Sequence, residues 1–151
     1  MSEKEEIRDV RKAHRLDEAV LANYLKAQLD GFSGKLMVKQ FGYGQSNPTY
    51  FLTDVETGTK FVLRKKPPGK LLPSVHAVDR EYRVIEALGK TDVPVPEVHL
   101  LCQDESIVGT PFYVMAHVEG RIFRDPIVSG AADAGERAAI FEAMADTLAR
   151  I

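Results

Sequence analysis

Between residues 41 and 50 the chain reads Phe-Gly-Tyr-Gly-Gln-Ser-Asn-Pro-Thr-Tyr. Within it Gly42, Tyr43, Gly44, Gln45, Ser46 and Asn47 form an uncharged polar tip with two glycines at alternate positions. Glycine tolerates positive φ and admits a ligand close to the backbone, so such a tip can lay N–H groups over phosphate oxygens. The same residues suit an ordinary hairpin turn, because Ser and Asn stabilise turns through their own side chains. Two charged residues further along could complete an anion site. Arg64 closes an apolar run, and a guanidinium binds phosphate in bidentate fashion. Glu81 lies in a charged helical stretch, where its carboxylate could hold that guanidinium extended. The alternatives are a solvated arginine at a strand end and one more surface carboxylate. Lys65 is the second candidate cation, although alternation along a strand turns it to the opposite face from Arg64.

The elements that would position these residues follow from pattern. Leu36-Met37-Val38-Lys39-Gln40-Phe41 and Thr49-Tyr50-Phe51-Leu52-Thr53 flank the glycine tip, and both suit strands. A third strand is expected over 60–64. Short connections make an antiparallel meander, and Pro67, Pro68 and Gly69 end it, since proline cannot donate to a ladder. A helix is expected over 75–88, capped by Ser74, with Val78, Tyr82, Ile85 and Leu88 as its apolar face and Gly89 at its end. Two further strands are expected over 98–102 and 111–116, with a turn over 104–109. Ahead of the sheet, a helix over 16–29 begins at Asp17 and Glu18 and stops at Gly31, and the polar residues 1–14 form a disordered lead-in. From Asp133 a second alanine-rich helix aligns Ile140, Phe141, Met144, Leu148 and Ile151. It ends with neither cap nor glycine, as expected of a piece of a longer polypeptide.

Composition narrows the function. The 151 residues suit one domain or part of one, and 44% hydrophobic with 28% charged residues is ordinary for a soluble globular protein. A formal charge of -2 argues against a nucleic-acid partner, which normally meets a basic excess. Cys102 is the only cysteine, so internal disulfides and cysteine-built zinc sites are excluded, and His99 with Cys102 makes a poor metal pair. No apolar run reaches the length of a membrane span and the start lacks a signal core, so no membrane partner and a cytoplasmic location are expected.

Three strands, a helix, two strands and then helices is an order that resembles the N-terminal lobe of protein kinases. Phe61-Val62-Leu63-Arg64 stands where kinases carry a strand ending in lysine, Glu81 where a helical glutamate pairs with it, and 115–120 at the hinge. The wording Gly44-Gln45-Ser46-Asn47-Pro48-Thr49-Tyr50, then Leu63-Arg64-Lys65-Lys66-Pro67-Pro68-Gly69, is similar to the aminoglycoside phosphotransferase (choline-kinase-like) family. Within that family it is nearest the branch found alone in bacteria or fused to acyl-CoA dehydrogenase domains in animals. The resemblance implies an α+β fold: a five-stranded antiparallel sheet with a packed helix, and the start of a helical C-terminal lobe. It divides the chain into a lead-in over 1–34, a nucleotide-binding lobe over 35–120, and a linker with a first helix over 121–151.

It also implies ATP and Mg²⁺ as cofactors and transfer of the γ-phosphate to a hydroxyl of a small acceptor. Gly42, Tyr43, Gly44, Gln45, Ser46, Asn47, Arg64 and Glu81 are then nucleotide-site residues. Met115 stands just ahead of the hinge, and the backbone of Ala116 and Val118 would meet the adenine edge. The family's His-Gly-Asp catalytic loop and its metal-binding aspartate are absent from the 151 residues, and are expected beyond Ile151. Association with or fusion to an acyl-CoA dehydrogenase is a further implication. Two other readings stay open: a non-catalytic, pseudokinase-like nucleotide-binding or regulatory module, and a plain α+β interaction domain.

Overall fold

The computed structural model describes residues 7–42, 47–69 and 77–151. Strands β1 (Ile7–Arg8), β2 (Leu36–Phe41), β3 (Thr49–Asp54), β4 (Lys60–Lys65), β5 (Val98–Cys102) and β6 (Phe112–Ala116) form one antiparallel sheet in the order β1-β2-β3-β4-β6-β5. Helices α1 (Glu18–Gln28), α2 (Val78–Leu88), α3 (Glu105–Val108) and α4 (Ala134–Arg150), with a short 3-10 helix over Lys12–His14, complete the described elements.

Six strands replace the five expected, and the extra one comes from the supposedly disordered lead-in. Ile7 and Arg8 pair with Phe41 and Gln40 on the edge of β2. The segment is then tied down by polar groups. Arg8 Nη2 donates to the Gly42 carbonyl at 2.9 Å, Arg11 N–H to Gln40 Oε1 at 3.0 Å, and the Tyr50 hydroxyl to the His14 carbonyl at 2.7 Å. An edge strand needs a partner's backbone groups more than apolar side chains of its own, which explains why a polar stretch can join the sheet.

The two sheet faces have different jobs. Tyr50, Leu52, Phe61, Leu63, Phe112 and Val114 point into the main core, where they meet Leu21 and Leu25 of α1. Those two leucines are one helical turn apart, so one narrow stripe of α1 does the packing. Asp17 caps this helix by accepting from Val20 N–H at 3.1 Å, so it starts two residues later than the periodicity suggests and ends at Gln28. Helix α2 lies on the other face against β5 and β6, with Val78 as its one fully buried residue. Ser74 and Val75 fall outside the described residues; α2 begins at Val78 after Ala77, which makes no side-chain cap. Gly89 does stand at its C-cap, but with φ of -62° it is right-handed and uses no freedom special to glycine. The expected turn over 104–109 is the short helix α3, closed by Gly109 at φ 85°. Helix α4, capped by Asp133, has no buried residue, and Phe141, Met144 and Leu148 all face outward on it.

One buried carboxylate holds the β3–β4 turn. Asp54 is fully buried and accepts from Ser33 N–H at 2.7 Å, the Ser33 hydroxyl at 2.5 Å and Glu56 N–H at 3.1 Å. Burial alone would raise its pKa, but these bonds outweigh it and hold the carboxyl at about 2, against an ordinary 3.8. A depressed acid contributes stability above its unfolded pKa and loses it as pH falls through the folded one. Melting temperature should therefore fall steeply between about pH 4 and pH 2 in the wild type. Asp54→Asn should melt lower at pH 7 and show a shallower acid limb. Identical limbs would show that Asp54 does not carry the acid sensitivity.

Candidate nucleotide site

Cross-strand register builds the site on the α2 face. Phe51, Val62 and Met115 are successive partners across β3, β4 and β6, and Thr49, Arg64 and Tyr113 form the next row. Period-2 alternation puts both rows on one face and leaves Tyr50, Leu63 and Val114 on the other. Val62 and Met115 of the apolar row line a cleft of about 330 Å³, together with Phe41, Pro96, Ala116 and Val118 and with Arg64 and Thr49 of the polar row. Phe41 and His117 each meet Phe51 edge to face, with ring centroids at 5.9 Å and 5.0 Å. Met115 lines this cleft and also a second groove beside α2, so its side chain divides the two.

Glu81 sits over the polar row. Its Oε2 accepts from Arg64 Nε at 2.7 Å and from the Tyr113 hydroxyl at 3.1 Å. Its Oε1 accepts from Asn47 Nδ2 at 3.1 Å and from Arg64 Nη2 at 3.4 Å. Arg64 Nη1 reaches the Thr49 hydroxyl at 3.4 Å. The side chains of Arg64 and Glu81 keep 31% and 35% of their exposure, so the pair is partly shielded yet open to a ligand from the cleft. Burial, aided by the Glu81 charge, pushes the Tyr113 phenol above its ordinary pKa, so it stays an O–H donor.

The structure therefore brings Arg64, Met115, Ala116 and Val118 to one cleft and joins Asn47 and Glu81 to it through the Arg64–Glu81 pair, while Gly42 directly follows β2. Tyr43, Gly44, Gln45 and Ser46 lie outside the described residues. Ala116 N–H is taken by the Glu97 carbonyl at 2.8 Å, so its carbonyl is the group it can offer a ligand. Lys65 is on the core face, 7% exposed, with Nζ donating to the Val108 carbonyl at 2.6 Å. Burial lowers its pKa, and its place behind the sheet removes it as a cleft cation. Reading the sequence alone missed Phe41, Thr49, Pro96 and Tyr113. Alternation does place Val62 beside Arg64, but the others need the tertiary structure. Among the described residues no group of three His, Cys, Asp or Glu could hold a metal ion, and no helix is long and apolar enough to cross a membrane.

A twisted antiparallel sheet with one helix over its cleft face, an ion pair joining the two and an apolar slot beside it define a kinase-like phosphotransferase fold. Comparison with known proteins agrees and is more specific: residues 38–151 match the phosphotransferase enzyme family, and the chain belongs to it. A solved structure of a Ralstonia eutropha protein assigned as an aminoglycoside phosphotransferase superposes with a TM-score of 0.74 at 40% identity, covering 90% of this chain and 38% of its own. Acyl-CoA dehydrogenase family member 11 of Gallus gallus is 49% identical over 147 residues, and that of Homo sapiens 44% identical over 151. These matches cover 95% and 97% of this chain but only 18% and 19% of the relatives, so the chain spans about a fifth of their length.

Proposed function

We propose that this chain is the ATP-binding portion of a small-molecule phosphotransferase that passes the γ-phosphate of ATP to a hydroxyl acceptor. The observation that carries this reading is the continuity of an apolar slot with a cationic row. Val62 and Met115 offer apolar surface for a purine, and Arg64 lines the same cleft, held by Glu81. The adenine edge would meet the Ala116 carbonyl and the Val118 N–H, and the α- and β-phosphates would meet Arg64 and the backbone of the 42–47 turn. Arginine differs from the lysine of kinases in presenting a planar fork, which suits two phosphate oxygens at once.

Bound ATP with Mg²⁺ would supply the transferable phosphoryl group and neutralise its charge. The side chains described here bind and orient the nucleotide. Groups that accept the hydroxyl proton and hold the metal are not among them, since no His-Gly-Asp occurs in the 151 residues. The pure chain should therefore bind ATP without turning it over, and the complete enzyme should carry its proton acceptor in another segment. Relatives that are acyl-CoA dehydrogenase family members suggest that the domain works fused to or beside such an enzyme.

Calorimetric titration with ATP tests the reading directly. Saturable binding at one site, competed by ADP, is the expected result. No binding of either nucleotide would remove it, and ATP-dependent product formed by the pure chain would show that the catalytic groups had been misplaced.

A further inference from the structure

The Glu81 carboxylate is held from three separate parts of the fold. Arg64 comes from β4, Tyr113 from β6, and Asn47 from two residues ahead of β3. Asn47 and Tyr113 are each 2% exposed, so both polar groups are buried and find their partner in the same carboxylate. Buried polar groups are costly unless paired, which makes this arrangement specific rather than incidental. A short strand connection adds rigidity. The Thr49 hydroxyl donates to the Asn47 carbonyl at 3.0 Å, and Lys65 N–H donates to the Pro48 carbonyl at 3.0 Å, locking 47–49 against β4.

We propose that Asn47 and Tyr113 are positioning residues of the nucleotide site: they clamp Glu81 from the start of β3 and from β6, and through it set the Arg64 guanidinium. This rests on the nucleotide reading above, and it changes the part played by Asn47. Its amide donates to Glu81, so it ties the start of β3 to the helix that carries that carboxylate.

The test inverts the polarity of the Asn47 contact. In the complete polypeptide, ATP affinity is measured by calorimetry and melting temperature by scanning calorimetry. Asn47→Ala should weaken ATP about fivefold, the loss of one contact to a charged group. Asn47→Asp should weaken it by more than about tenfold, since it sets two carboxylates against each other. Adding Glu81→Gln to Asn47→Asp should recover affinity to within about threefold of Glu81→Gln alone, because the new amide can donate to the new carboxylate. For Asn47→Asp, lowering the pH from 7 to about 5 should also recover affinity, as one of the paired carboxyls takes up a proton. A purely structural asparagine would show neither the rescue nor the pH profile. If Asn47→Asp does not fold, Tyr113→Phe replaces it: a loss of about threefold that vanishes in the Glu81→Gln background supports the clamp, and an additive loss overturns it. Asn47→Asp no worse than Asn47→Ala, with ATP binding intact in the wild type, overturns the positioning role alone. A wild type that binds no ATP overturns the nucleotide reading and the clamp with it.

Discussion

Arg64→Ala should weaken ATP and ADP about thirtyfold to a hundredfold while leaving adenosine binding within about twofold. Charge-assisted contacts to phosphate contribute about 2–3 kcal/mol, and each tenfold in affinity is about 1.4 kcal/mol. The split between nucleotides and nucleoside follows from geometry, because Arg64 belongs to the polar row of the cleft and not to the apolar row of Val62 and Met115. Folding should hardly respond. Arg64 and Glu81 are both about one-third exposed, and pairs of that kind contribute little to stability. With Arg64 gone, the Glu81 carboxylate still accepts from Tyr113 and Asn47, so no buried charge is stranded. The melting temperature should thus move by no more than a few degrees. Lys65→Met is the control one residue away. Its ammonium lies on the core face, donating to Val108, so this change should alter stability and leave ATP affinity unchanged. Reversed outcomes, with Lys65 controlling affinity and Arg64 controlling melting, would move the cation of the site to the other face of the sheet.

Leu63→Ala, the neighbour on the other side, should do the opposite. Leu63 is fully buried, pairs with Tyr50 and Val114 across the sheet, and belongs to the core cluster. Deleting a buried leucine to alanine removes transfer energy and leaves a cavity, for a loss of about 3–5 kcal/mol where neighbours cannot collapse. Central strands with partners on both sides have little room to relax, so the upper half of that range is expected. That corresponds to a fall in melting temperature of about 10 °C or more. ATP affinity at a temperature where the variant is folded should stay within about threefold, since the cleft is lined by the alternate residues Val62 and Arg64 and not by Leu63. A melting temperature unchanged in Leu63→Ala would contradict the core placement of this face.

Much of the frame was legible without coordinates. The residues of β2 and β5 match the expected strands end to end, and β3 and β4 run one residue longer than expected. Helix α4 starts next to Asp133, where an alanine-rich helix was expected to begin, and the Asp133 carboxylate accepts from Glu136 N–H at 2.8 Å. The pairing of Arg64 with Glu81 was anticipated and is present at 2.7 Å. Residues 7–14 were misjudged because their polar and charged side chains carry no period, while their order comes from Gln40, Gly42 and Tyr50 far along the chain.

Local chemistry determined what could be read from the sequence. A strand alternates with period two whatever surrounds it, so placing Arg64 with Val62, and Lys65 with Phe61 and Leu63, needed no partner. Apolar spacing marked α1 as a helix but not its buried stripe, which is Leu21, Ala22 and Leu25 while Val20 is exposed, and the turn residues marked the ends of strands. Only the tertiary structure decided which side chains stand next to one another across the sheet. Register is set by pairing between distant strands, and a slip of one residue would exchange the two faces. That register puts Thr49, Arg64 and Tyr113 in one row, and the seating of α2 lowers Glu81 onto it. Asn47 reads as a turn residue in the sequence and becomes a partner of Glu81 only because a helix 34 positions away arrives above it.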